Sequence, residues 1–291
     1  MRRRVESVVA SMSKERQRGI AASWLAFFCI SALVYVAFSD GDFSSLLTYS
    51  SLFRCFGMSL LVAKLQRSGS AAGVSAKSLQ CYAVVFGARL CSILRHEGYL
   101  PYDRSGDWLY HCIEGASFLA TCAAVFLVHV TFRSTYEENN DTFGALEPFL
   151  HSKFGAVVII APCALLAAFL HPALNRDWFS DVNWAFSMYL ESFAILPQLF
   201  LFQKQSAVAA TVEPLIGHFV AALGVSRIVE MGFWMSSYTE LSDRDGSRSV
   251  GFLVLVTQLI HLIIMADFFY FYLSSLKRGL PMQLPSYSNS V

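Results

Sequence analysis

Single charges stranded inside long apolar runs set the first constraint on this chain. Arg89, Glu191, Arg227, Glu230 and Asp267 each lie within, or at the edge of, a stretch long enough to cross a bilayer. A charge near the middle of a bilayer costs at least about 2.5–3.5 kcal/mol on insertion scales. Placement against lipid is therefore unfavourable, and these side chains are expected to face a shared polar cavity within a helical bundle. Recognition is expected at that cavity.

A spanning helix needs about 20 mostly apolar residues. Eight segments qualify as candidates, at about 20–38, 45–65, 77–95, 108–131, 154–171, 182–202, 213–236 and 249–274. The basic leader Met1-Arg2-Arg3-Arg4 would also suit a signal peptide. The apolar stretch behind it is nearly span length, however, and no clear small-residue cleavage site precedes the turn Asp40-Gly41-Asp42. A retained signal-anchor helix is the expectation.

Basic residues bias orientation. With the N-terminus cytosolic and the spans alternating, 14 of the 22 Lys and Arg fall on the cytosolic side and five on the other. The remaining three, Arg54, Arg89 and Arg227, lie in or near the membrane. The asymmetry favours an even number of spans with both termini cytosolic. The expected fold is thus an all-α polytopic membrane protein of eight spans, and the segment after Leu284-Pro285 is expected to be a flexible cytosolic tail able to carry a sorting signal.

Composition narrows the function. Hydrophobic residues make up 55% of the 291 and charged residues only 15%, against about 25% charged in a soluble domain. The soluble segments leave no room for a separate catalytic domain. A net charge of +1 gives no reason to expect a nucleic-acid partner. The seven cysteines all fall in apolar segments with no CxxC pair or Cys/His cluster, which points to free packed thiols and no metal site. There is no nucleophile–base pair, phosphate loop or cofactor motif, so neither an enzyme nor a cofactor is expected.

Four blocks carry a resemblance. They are Ala72-Gly73-Val74-Ser75-Ala76-Lys77-Ser78-Leu79-Gln80, then Thr135-Tyr136-Glu137-Glu138-Asn139-Asn140-Asp141-Thr142-Phe143, then residues 184–199 from Trp184 through Glu191 to Pro197-Gln198-Leu199, and Ala266-Asp267-Phe268-Phe269-Tyr270-Phe271-Tyr272. From about residue 45 onward the chain resembles the ER lumen protein retaining receptors, the KDEL receptor family. The extra first helix is similar to the longer, receptor-like branch of that family. The resemblance implies a SWEET/PQ-loop-like seven-helix bundle, two three-helix units joined by a linking helix, with one transmembrane helix prefixed. The implied division is 1–44 (basic N-terminus and extra helix), 45–274 (receptor-like domain) and 275–291 (tail).

The implied activity is retrieval. Such receptors bind the C-terminal tetrapeptide of escaped ER residents in the mildly acidic Golgi and return it through coatomer-coated vesicles. They release it at the neutral pH of the ER. ER and Golgi membranes are the implied location, with coatomer and the lipid bilayer as partners.

A peptide C-terminus with acidic side chains is a dense anion, and arginine pairs with carboxylates through a planar fork. The resemblance makes Arg89 the ligand of the terminal carboxylate and Arg227 a second cargo contact paired with Glu191. An interior ion pair that only holds helices together is the other reading of both. Glu230, three residues after Arg227, shares its helical face and can compete for it; the short receptors have a tyrosine there. Asp181 and Trp184 correspond to the residues that hold the cationic first residue of the tetrapeptide, and Trp234 to a tryptophan at the cavity mouth. An interface belt would also suit both tryptophans. Asp267 corresponds to an aspartate tied to retrograde transport, or serves as an internal acceptor. Pro197 is expected to kink its helix. Among the histidines, His218 aligns with a family histidine, while His96, His151 and His171 fall at span ends and carry no reading.

Three departures from the family pattern stand out. Arg54 occupies the position of the proton-sensing histidine, and arginine stays protonated across the Golgi–ER range. Leu47 and Ser237 stand where two cargo arginines are expected. Any remaining pH switch must then come from a carboxylate such as Asp181 or Glu230, or from His218. These losses keep two other readings open: a divergent trafficking protein with altered or no tetrapeptide binding, and a PQ-loop/SWEET-type carrier of a small solute.

Overall fold

The computed structural model describes residues 2–39, 43–96, 107–145, 154–173, 177–206, 211–238 and 249–283. All regular structure among them is helical. The helices are α1 (Arg2–Phe38), α2 (Ser44–Ser68), α3 (Ala76–Ile93), α4 (Asp107–Phe126), α5 (Val157–Phe169), α6 (Trp178–Phe193), α7 (Leu196–Ser206), α8 (Pro214–Ser236) and α9 (Ser249–Arg278). The turn at Asp40-Gly41-Asp42, the tail beyond Gln283 and the loop residues Arg104, Lys153, Arg176, Arg244 and Arg248 lie outside the described residues.

Among the described residues, six stretches are long and apolar enough to cross a membrane: Gln17–Phe38, Ser45–Ser68, Trp108–Thr131, Trp178–Gln205, Pro214–Ser236 and Val250–Arg278. The protein is therefore an all-helical polytopic membrane protein. Two of the eight expected segments fall short of that standard. Helix α3 is 18 residues long but carries Lys77 and Arg89, and α5 has only 13 residues with Pro162 inside it.

The chain forms two compact units, Met1–Asp42 and Phe43–Val291. The first is the single helix α1. It starts at Arg2, well before the expected span, because nothing between Arg2 and Gln17 breaks a helix. Within it the Ser23 hydroxyl bonds back to the Gly19 carbonyl at 2.9 Å, and Leu25, Phe28, Ile30, Leu33 and Val36 present exposed apolar surface.

In the second unit, local chemistry sets the helix ends that position the site. Ser75 caps α3 by accepting the Ser78 N–H. Asp177 caps α6 by accepting the Phe179 N–H. Glu213 caps α8 by accepting the Ile216 N–H, with Pro214 next, where its missing N–H costs nothing. The sixth expected span is broken between α6 and α7 at Ala194–Ile195. Pro197 has no N–H to offer the Phe193 carbonyl, so the expected kink is a full interruption.

Helix α2 packs on α8 and α4, α3 on α6 and α4, and α9 on α8 and α6. Gly57 allows a close approach in the first of these contacts. A Cβ there would sit 3.2 Å from the Phe219 carbonyl oxygen and 3.3 Å from Ala222 Cβ, so glycine lets α2 press against α8. Tyr82, Phe86, Tyr189, Phe219 and Phe233 fill the buried core around this contact.

Candidate functional site

Six charged side chains meet in the interior, and they alternate in sign around a closed ring. Arg54 on α2 reaches Glu114 on α4 at 2.7 Å. Glu114 lies 3.4 Å from Arg89 on α3. Arg89 pairs with Glu191 on α6. Glu191 lies 2.5 Å from Arg227 on α8, and Arg227 lies 3.1 Å from Glu230 one turn on. Glu230 closes the ring on Arg54 at 2.5 Å. A cross-contact of 3.6 Å joins Arg54 to Glu191.

Three positive and three negative charges cancel, and every ring residue is buried, with none more than 4% exposed. An isolated buried ion is penalised by several kcal/mol, and removing one member of a buried pair leaves that penalty uncompensated. A closed alternating ring leaves no such member. Neutral groups add to the coordination. Ser51, one turn before Arg54, donates to Glu114 at 2.7 Å and accepts from Arg54 at 2.8 Å. On α9, Gln258 accepts from Arg227 at 3.3 Å and donates to Glu230 at 3.1 Å. One turn further on, His261 lies 3.2 Å from the carbonyls of both Glu191 and Ser192. Carbonyls only accept, so Nδ1 carries the proton.

The aromatic pair lies beside this ring. Trp234 donates its indole N–H to Glu230 at 3.3 Å. Its ring meets Trp184 edge to face, centroids 6.1 Å apart at 78°. Asp181 is buried in the first turn of α6, three residues before Trp184 and on the same face. The structure therefore joins Arg54, Arg89, Glu191, Arg227 and Trp234 in one network, sets Trp184 against it, and places Asp181 a turn away on the same helix.

Asp267 does not join them. It is exposed on α9, which corrects the expectation that all the stranded charges share one interior. Its position falls on the outward face of α9, whereas Gln258 and His261 fall on the inward one. Two ring features escaped the sequence reading. Glu114 lies inside the run 108–131 and meets the same criterion as the other stranded charges. Arg54 read as a lost sensor, but it touches all of Glu114, Glu191 and Glu230. Ser51 and Gln258 gave no local signal.

A second polar assembly ties the loops at the start of α3. Ser75 donates its backbone N–H to Gln198 at 2.9 Å and its hydroxyl to Asp141 at 2.9 Å. Gln198 donates to the Gly73 carbonyl at 2.8 Å, where Gly73 adopts φ 80°, a conformation open to glycine. Tyr136 donates to Asp141 at 2.7 Å, Lys77 to the Asp141 carbonyl, and Lys64 to the carbonyls of Ser70 and Ala72 at 2.9 and 2.8 Å. Burial and the Asp141 carboxylate push the Tyr136 phenol above its ordinary range.

At the opposite end of α3, Asp177 accepts from Ser180 at 2.7 Å and contacts His96 at 3.1 Å. Those bonds, Ser180 first, hold its carboxyl below the usual range.

Fold and site together define a helical membrane protein with an interior, charge-balanced polar centre. Comparison with known proteins gives the family. Residues 70–237 match the model of the ER lumen protein retaining receptor. An ER lumen protein-retaining receptor of Drosophila melanogaster is 31% identical over 237 residues, covering 81% of this chain and 96% of the relative. One from Caenorhabditis elegans is 32% identical over 231 residues, covering 78% and 92%. ER lumen protein-retaining receptor 2 of Danio rerio is 31% identical over 229 residues, also covering 78% and 92%. The chain belongs to the ER lumen protein retaining receptor family.

Proposed function

We propose that this protein is a retrieval receptor. It binds the C-terminal HDEL- or KDEL-like tetrapeptide of lumenal proteins that have escaped the ER, and it returns them from the Golgi by retrograde vesicles. The observation that carries this reading is the match to named receptors across 96% of a relative's length. It is a full-length likeness and not a shared motif.

In this reading Arg89 and Arg227 supply the cationic contacts for the ligand carboxylates, and Glu191 is the counter-ion both release. Asp181 and Trp184 receive the cationic first residue, and Trp234 lines the entrance. Asp267, exposed on α9, serves transport and not ligand contact. Eight spans with both termini cytosolic, and a SWEET-like arrangement of the last seven, fit the charge asymmetry of the loops. In that reading α3 and α5 cross the membrane shielded by their neighbours, with 1–44 as an added anchor, 45–274 as the receptor-like domain and 275–291 as the tail. The cytosolic face then meets coatomer, and the protein cycles between ER and Golgi membranes.

One observation favours a second reading, a receptor with altered tetrapeptide selectivity. The ring leaves no arginine uncommitted, Arg54 cannot lose its proton near neutrality, and Leu47 and Ser237 are buried without cationic groups. Binding of labelled HDEL- and KDEL-ending peptides to the purified protein at about pH 5.5 and about pH 7.2, bracketing the histidine range, separates the two. Acid-favoured binding that Arg89→Ala abolishes supports the retrieval reading. Absence of specific binding at both pH values removes it.

A further inference from the structure

Glu230 is held as a bound carboxylate would be. Its Oε2 receives Nη1 of Arg54 at 2.5 Å and Nη1 of Arg227 at 3.1 Å. Its Oε1 receives Nε1 of Trp234 at 3.3 Å and Nε2 of Gln258 at 3.1 Å. A carboxylate offers about four lone-pair sites, and here each oxygen has two donors. The donors come from α2, α8 and α9: two guanidiniums, an indole and an amide.

The other two ring carboxylates are held differently. Glu114 Oε1 takes Ser51, Arg54 and Arg89, while its Oε2 has only Arg89 at 3.4 Å. Glu191 meets arginines through Oε2, and its Oε1 has Arg54 at 3.6 Å. Both are also deeper, with side chains 0% and 2% exposed against 5% for Glu230. The most completely coordinated carboxylate is thus the outermost one, and it sits against Trp234 of the aromatic pair.

We infer that Arg54, Arg227, Trp234 and Gln258 form a carboxylate-binding site whose present occupant is the protein's own Glu230, a tethered stand-in for the carboxylate of a ligand. Because Glu230 grows from the same helix as Arg227 and Trp234, it competes from within the molecule, with the high effective concentration that tethering confers. A free carboxylate gains these four donors only by displacing it. The existence of the site is independent of the retrieval reading; its role in limiting tetrapeptide binding rests on that reading.

Replacing Glu230 by alanine removes a fragment the size of acetate. The test measures melting temperature of the purified full chain, wild type and Glu230→Ala, in sodium acetate, in sodium chloride of equal ionic strength, and with neutral acetamide. Acetate is expected to raise the melting temperature of Glu230→Ala by several degrees, saturably, with no matching effect of acetamide and none on wild type. Acetate acting no differently from chloride on Glu230→Ala overturns the proposal.

Glu230→Gln keeps the volume, and it carries the test if the alanine variant does not fold. Its affinity for an HDEL-ending peptide at neutral pH is expected to exceed wild type at least tenfold, with a C-terminally amidated peptide showing whether the terminal or a side-chain carboxylate enters. Affinity equal to or below wild type overturns the limiting role. If neither chain binds peptide while acetate restores Glu230→Ala, the carboxylate site stands and the retrieval reading falls.

Discussion

Among the described residues the protein holds two buried polar assemblies, and they are built on opposite plans. The ring joins side chain to side chain across five helices, every long-range link an ion pair. The assembly at the start of α3 joins side chains largely to backbone, fixing loops through Gly73, Ser75, Asp141 and Gln198. The first fixes charges and leaves the chain path to the helices. The second fixes the chain path itself.

The two also differ in how family resemblance reaches them. Gly73, Ser75, Lys77, Tyr136, Asp141 and Gln198 all fall inside the blocks that made the chain recognisable. Of the six ring residues only Glu191 does. What made the chain recognisable is mostly its loop scaffold, while two departures from the family pattern, Arg54 and Glu230, sit in the ring.

The sharpest way to break the comparison is to unbalance the ring. Glu114→Leu leaves Arg54 and Arg89 short of a counter-charge, and the expected loss is about 3–5 kcal/mol, read as a large fall in melting temperature. Arg54→Met with Glu114→Leu restores balance, two arginines against two glutamates, and should recover most of that loss. If the double variant is as unstable as the sum of the singles, the ring is not one electrostatic unit.

The loop assembly should respond less and differently. Asp141→Ala strands the hydroxyls of Ser75 and Tyr136, at a cost of about 1–3 kcal/mol. Peptide affinity per folded molecule should not change. A lost binding site in a stable Asp141→Ala protein would erase the distinction between the two assemblies.

Tyr136→Phe is a finer probe, expected to cost about 1 kcal/mol. The folded protein holds the Tyr136 phenol above its ordinary range. Its contribution is therefore complete below the unfolded tyrosine value of about 10 and fades as pH climbs toward the folded value. Wild type should lose melting temperature on that alkaline rise more steeply than Tyr136→Phe.

The smallest effects should come from groups outside both assemblies. Asp267→Asn on the exposed face of α9 should change stability by no more than about 0.5 kcal/mol and leave peptide binding intact, while slowing retrograde transport in cells. Asp177→Asn should weaken the α6 cap slightly. Asp177 is held below the carboxylate range, so its contribution persists above the ordinary value and fades only as pH falls through the depressed one.

Much of this is legible in the sequence. Helix positions follow from the apolar runs, the Arg227–Glu230 pair from helical spacing, and the Arg227–Glu191 pair from the family resemblance. The closure of the ring does not. Register along one helix says which residues share a face, but the partner of Arg54 on α4 depends on how helices pack. The approach permitted by Gly57 shows only in three dimensions. Glu114 was legible in principle, since one carboxylate in a run of 24 residues demands a partner as much as Arg89 does. Asp267 misled because an apolar neighbourhood in sequence does not say which side of the helix a charge occupies.

The interruption at Ala194–Ile195 has a mechanical consequence. Glu191 belongs to the ring and Gln198 to the loop assembly, seven residues apart in a single span, about 10 Å at the helical rise. An unbroken rod would carry any twist at Glu191 straight into Gln198. The interruption between them removes that continuity, so α6, which bears Glu191, and α7, moored to Gly73 and Ser75 through Gln198, are anchored as separate helical segments.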